Sequence, residues 1–171
     1  MTSSINTSVS NNHSLLVKLF SILAFTLLSI STFASDKADI NKILAMKSAP
    51  DGVVFELIGS ENSKYLPNAL TKIEAYRDQL KKKFPAIEIA VVAHGSEQFE
   101  LTKQSAKKEK KTHSLVKRIT NDDIPVHICE THASWRGVEA QDFPEYITVS
   151  AQGPVQIKQY QELGYLLVVI D

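Results

Sequence analysis

Ile89-Ala90-Val91-Val92-Ala93-His94-Gly95 is the stretch that decides the fold. Five apolar residues, β-branched or small, run on without polar alternation, and a histidine and a glycine follow where the chain has to turn. A short run that is apolar on both faces reads as a strand covered from both sides, which is the habit of parallel sheets. Working outward, Pro50-Asp51-Gly52 launches a second such run, Val53-Val54-Phe55-Glu56-Leu57-Ile58, closed by Gly59. Between the two runs, Leu66, Ala69, Leu70, Ile73, Tyr76 and Leu80 recur at helical spacing, which predicts an amphipathic helix over 65–83 stopped by Pro85. A short polar helix is predicted over 36–47.

Downstream, Ser96 is expected to cap a helical segment over 97–102, and a highly charged helix is predicted over 105–120, held by Leu115, Val116 and Ile119. Val126-His127-Ile128-Cys129 reads as a third strand, followed by a short helix or turn over 131–136 ended by Gly137. Residues 146–149 read as a fourth strand, 155–163 as a helix and 165–170 as a fifth strand. Strands alternate with helices and no hairpin turn joins neighbours. The pattern predicts an α/β domain whose five-stranded, mainly parallel sheet carries helices on both faces.

The 171 residues are 43% hydrophobic, with 19 basic against 19 acidic side chains and one cysteine. Zero formal charge gives no electrostatic case for nucleic acid or an anionic membrane, and one cysteine excludes an internal disulfide or a multi-cysteine zinc module. Seven basic residues against one acidic, Glu109, lie between positions 103 and 118, as expected of a solvated helix face. No glycine-rich phosphate loop, paired-carboxylate signature or serine-nucleophile elbow is present, so no cofactor is expected.

Residues 1–34 read as a signal peptide. Fourteen of the 20 residues at 15–34 are apolar and only Lys18 is charged. The core from 19 to 30 is shorter than the roughly 20 residues of a membrane-spanning helix. Thr32 and Ala34 place a small-residue cleavage site after Ala34. The expected organisation is a leader at 1–34, an N-terminal extension at 35–51 and one α/β domain at 52–171, exported to a compartment such as the periplasm, with no membrane attachment after cleavage. An unpaired thiol is unusual in such an oxidising place.

In parallel sheets, ligand-binding groups gather at the carboxyl ends of strands. The second strand delivers His94, Gly95 and Ser96 there; the third delivers Cys129, Glu130, Thr131 and His132. Cys129 precedes a possible helix start with Thr131 as its cap, so backbone amides aimed at the sulfur would favour a thiolate, and a neighbouring His94 would do so further. The other reading of Cys129 is an inert core thiol. Trp135 is a candidate to stack on a ligand or seal a subunit contact. His127, Cys129 and His132 invite a metal reading, but their spacing fits standard zinc patterns poorly, and no metal is expected.

The strand and exit Ile89 to Gly95, the segment Val126-His127-Ile128-Cys129-Glu130-Thr131, Arg136-Gly137-Val138, and the ending from Ile147-Thr148-Val149 to Leu163-Gly164-Tyr165 together resemble the DsrE-like family of small sulfur-relay proteins, over about residues 52–171. The resemblance implies a three-layer α/β/α sandwich, assembly as a homo-oligomer such as a trimer or hexamer, and Cys129 as the sulfur-handling residue. His94, Gly95, Ser96, Glu130, Thr131, His132 and Trp135 would surround it. Its partners would be a sulfur donor or acceptor protein or a small sulfur compound. A sulfur carrier, sulfurtransferase-like at most, is one expectation; a non-catalytic oligomeric binding module with a buried cysteine is the other.

Overall fold

The computed structural model describes residues 36–60 and 64–170. The signal-peptide reading falls on residues 1–34, outside the described residues. The described elements follow in the order α1 (Asp36–Ala45), β1 (Gly52–Leu57), α2 (Tyr65–Lys83), β2 (Glu88–Ala93), 3₁₀ turns Ser96–Leu101 and Ser105–Lys107, α3 (Lys110–Asn121), β3 (Val126–Cys129), α4 (Glu130–Ser134), a 3₁₀ turn Ala140–Asp142, β4 (Thr148–Ser150), α5 (Gly153–Glu162) and β5 (Tyr165–Ile170). The sheet order is β4-β3-β2-β1-β5, and all four pairings are parallel. Helices on both faces make this a three-layer α/β/α fold, as the apolar runs predict.

The two faces are covered unequally. On one, Val53, Phe55 and Leu57 of β1, Ile89, Val91 and Ala93 of β2, and Val126 and Ile128 of β3 meet Leu66, Leu70, Ile73 and Leu80 of α2 and Leu115, Val116 and Ile119 of α3. Ile40 and Ile43 of α1 join the same core, and Lys72 bonds Asp36 at 2.9 Å. Each fully buried aliphatic side chain contributes about 1.5–3 kcal/mol, so this face dominates stability. On the other face α5 stands over a small cluster, Val54, Ala90, Val92 and Ile157, flanked by Tyr160, Tyr165 and Leu167. Glu56, His94, His127 and Cys129 alternate onto that thinly covered side.

Several boundaries differ from expectation for local reasons. The charged helix predicted over 105–120 breaks into Ser105–Lys107 and α3. The Ser105 hydroxyl bonds the carbonyls of Glu100 and Thr102, at 2.5 and 2.8 Å, and so competes with helix continuation. Ser96 is not a cap: Gly95 holds that position, and the Ser96 hydroxyl accepts from Arg136 at 3.2 Å. The fourth strand begins at Thr148 because Tyr146 lies in a turn closed by Ile147 N–H on the Pro144 carbonyl, 2.9 Å.

Candidate functional site

Four strand ends and one helix start converge on a cavity of about 590 Å³. Of the residues singled out in sequence, His94, Gly95, Ser96, Cys129, Thr131, His132 and Trp135 line it; Ile58 and Gly59 after β1, and Gln152 and Pro154 around the start of α5, complete the wall. Glu130 is exposed and does not line it. Residues scattered over 97 positions therefore meet because parallel strands discharge their loops at one edge.

Cys129 ends β3 with its side chain on the α5 face and only 5% of its surface exposed. The cap of α4 is this cysteine and not Thr131: Sγ accepts the His132 N–H at 3.4 Å. Thr131 instead ties α4 to the exit of β4, sending its N–H and its hydroxyl to the Ala151 carbonyl at 3.1 and 2.8 Å. From below, Gln98, fully buried, accepts the Cys129 N–H at 2.9 Å. Gly153 opens α5 between the two candidate residues. A Cβ on it would collide with His94 Cβ and sit 3.4 Å from Cys129 Cβ, so the helix starts this close to His94 and the thiol because the residue is glycine. Unpaired N–H groups of a helix start favour negative charge nearby, and the start of α5 lies beside Cys129.

His94 stands beside Cys129 in register, one step past the Ala93–Ile128 pair. Its ring turns the other way. Nε2 lies 2.7 Å from Glu56 Oε1 on β1, and among the described residues no hydrogen bond joins His94 to the thiol. The His94 carbonyl accepts from His132 Nδ1 at 2.9 Å, which puts the proton of neutral His132 on Nδ1 and leaves Nε2 bare. His132 packs edge-on to Phe99 and tilted against Trp135, and the Arg136 guanidinium covers the Phe99 ring at 4.3 Å.

Glu97 holds the first two strand exits together. Its fully buried carboxylate accepts Gly59 N–H at 2.6 Å and Gly95 N–H at 3.0 Å. Burial pushes its pKa up, against the pull of those N–H donors toward the charged form. Glu56, Glu97, Gln98 and Gly153 were not singled out in sequence. Glu56 alone left a signal, a carboxylate inside an otherwise apolar strand; Glu97 and Gln98 lie in a polar segment where nothing marks them as buried.

The metal reading meets a different geometry. Both His127 nitrogens are engaged, Nδ1 with Ser150 Oγ at 2.8 Å and Nε2 with the Tyr160 hydroxyl at 2.9 Å, and His132 Nδ1 is held by a carbonyl. No three His, Cys, Asp or Glu side chains among the described residues converge as metal ligands. The cavity wall brings the Cys129 thiol and the imidazole rings of His94 and His132 to one opening.

A β4-β3-β2-β1-β5 parallel sheet with helices on both faces and a pocket at its carboxyl edge is a three-layer α/β/α fold. Among solved structures the chain is similar to the protein of unknown function MTH1491 from Methanobacterium thermoautotrophicum, at 18% identity and a TM-score of 0.58, over 70% of this chain and 99% of that one. It is likewise similar to the ychN protein from E. coli, at 16% identity and a TM-score of 0.53, over 70% of this chain and 97% of that one. At these identities the likeness is one of fold. No family model and no curated protein sequence matches the chain.

Proposed function

We propose that this protein handles sulfane sulfur, or another small thiol-reactive group, on Cys129, as a carrier more than as a turnover enzyme. The observation that carries the reading is the placement of the chain's one thiol in the wall of a 590 Å³ cavity, beside the start of α5 and under the His132 N–H. The DsrE/YchN-like fold and the family resemblance of the strand exits support it. In the step proposed, deprotonated Sγ attacks the outer sulfur of a persulfide R–S–SH. The Sγ–S bond forms, the donor's S–S bond breaks, and RS⁻ leaves and takes a proton from solvent. The thiol proton has gone to solvent beforehand, and the product is Cys129–S–SH with no further oxidant or reductant.

In this reading the chain works after export and removal of residues 1–34, as a homo-oligomer of the trimer or hexamer kind. Leu166 and Val169 on edge strand β5 are exposed and apolar, as a surface covered by a second copy would be.

Mass spectrometry after incubation with polysulfide tests the sulfur step. Native protein is expected to gain the mass of a sulfur atom, and a Cys129→Ser variant is expected not to; equal gain in both would refute the role of the thiol. The 5% exposure of Cys129 favours a second reading, a binding module with a structural thiol. That reading requires Cys129 to resist alkylation until the chain unfolds, so rapid native labelling would exclude it.

A further inference from the structure

A single sulfur atom or a small inorganic anion would leave most of the Cys129 cavity empty. Its volume, about 590 Å³, falls in the range that encloses drug-sized ligands, whereas one water takes about 30 Å³ of liquid. The charge of the wall points the same way. Among the described residues that line the cavity there is no lysine, arginine, aspartate or glutamate. A doubly charged anion such as thiosulfate would lose hydration here without a fixed cation in return. Among the described lining residues positive charge comes from imidazole and from the partial charge of the α5 start, and His94 is already paired with Glu56. Arg136, just outside, turns its guanidinium to the Phe99 ring and the Ser96 hydroxyl.

What the wall does offer is apolar surface. Ile58, Trp135 and Pro154 line the cavity, and Ile58 is 56% and Trp135 76% exposed. A large aromatic side chain left that open beside a nucleophile is a surface awaiting cover.

From these features we infer that the molecule presented to Cys129 is organic, uncharged or singly charged, with an apolar and preferably aromatic body that packs among Ile58, Trp135 and Pro154. Its chemical class is an organic persulfide R–S–SH, whose outer sulfur meets Sγ in the step written above and which leaves as the thiol R–SH. The sulfur transfer rests on the proposed role of Cys129; the binding of the body does not.

Trp135 is the only tryptophan in the chain, so its fluorescence reports occupancy of this cavity. The test titrates a Cys129→Ser variant, unable to react, with benzyl mercaptan and separately with thiosulfate. Benzyl mercaptan is expected to give a saturable change with half-saturation at least about tenfold below that of thiosulfate. Burial of about 55 Å² of apolar surface suffices for that factor, and a phenyl ring has more to bury. Adding Ile58→Asp, at an exposed position, should weaken benzyl mercaptan by a similar factor. Saturation by thiosulfate at equal or lower concentration, or no saturation by benzyl mercaptan, overturns the inference. So does fluorescence that follows protein concentration and ignores ligand, which would mean that a second copy covers Trp135. A parallel experiment treats wild-type protein with benzyl persulfide and with polysulfide and reads the mass of Cys129. If neither donor adds sulfur while the Ser variant still binds benzyl mercaptan, the sulfur role falls and the ligand class stands.

Discussion

Glu56 is the least expected side chain in the sheet. It sits on β1, between the β2 and β5 pairings, among neighbours that are almost all apolar, with 15% of its side chain exposed. Burying a carboxylate costs several kcal/mol unless a partner offsets it. Its partner is His94, the residue beside Cys129. The 2.7 Å contact fixes the orientation of the His94 ring at the edge of the cavity that holds the thiol. Glu56 is thus placed to act on the thiol through His94, as a positioning residue. Glu56→Gln, which keeps the shape, is expected to slow iodoacetamide labelling of Cys129 at fixed neutral pH about threefold or more. His94→Gln should do the same, and the double variant should be little slower than either, because the two act as one unit. Unchanged labelling rates in both single variants would remove the pair from the account of reactivity.

At the scale of elements, α5 is fastened to the sheet by one hydrogen-bonded chain. Ser150 Oγ donates to Gln156 Oε1 at 3.1 Å, so it accepts from His127 Nδ1–H, and His127 Nε2 is left to accept the Tyr160 hydroxyl. β3, β4 and α5 therefore share a neutral histidine. Burial lowers the pKa of His127, and burial likewise lowers that of His113, which links α3 to Tyr146 at 2.5 Å. A lowered folded-state pKa means that the unfolded chain takes the proton first. The stabilisation is complete above about pH 6.5, the ordinary histidine value, and is lost as pH falls from there through the folded-state value. The denaturant midpoint should therefore drop between pH 7.5 and 5.5 by more in the wild type than in a His127→Gln variant. The gap in unfolding free energy that opens between them over that range is expected to be of order 1 kcal/mol. Equal pH dependence in the two would show that His127 does not titrate against folding. The same elements show what sequence could reveal. Apolar runs and helical spacing located every strand and α2 to within a few residues, because burial is what those patterns encode. The break at Lys108 and Glu109 and the cysteine cap of α4 escaped, because they depend on Ser105 turning to the carbonyls of Glu100 and Thr102 and on Thr131 reaching the distant Ala151 carbonyl.

For the molecule as a whole, the parallel sheet and the strand-end position of the candidate site were legible in sequence, since a parallel sheet brings His94 and Cys129 to one edge whatever the loops do. The partner of His94 was not, because Glu56 lies 38 residues away and only strand order makes it a neighbour. The unequal covering of the sheet was also hidden, and it bears on assembly. Three helices shield one face; α5 alone shields the other, and β5 closes the sheet as an all-apolar edge, Tyr-Leu-Leu-Val-Val-Ile, with Leu166 37% and Val169 40% exposed. Edge strands that face solvent are commonly guarded by charge, and β5 carries none. In the homo-oligomer proposed above, a second copy would lie against this edge. Light scattering on the protein should then give a mass that is a multiple of the single chain. Leu166→Lys with Val169→Lys adds two charges to the edge without touching the buried Val168 and Ile170, and should shift that mass toward one chain while circular dichroism stays unchanged. A wild-type mass of one chain across the micromolar range, or a lysine variant that assembles as the wild type does, would leave the β5 edge without a partner.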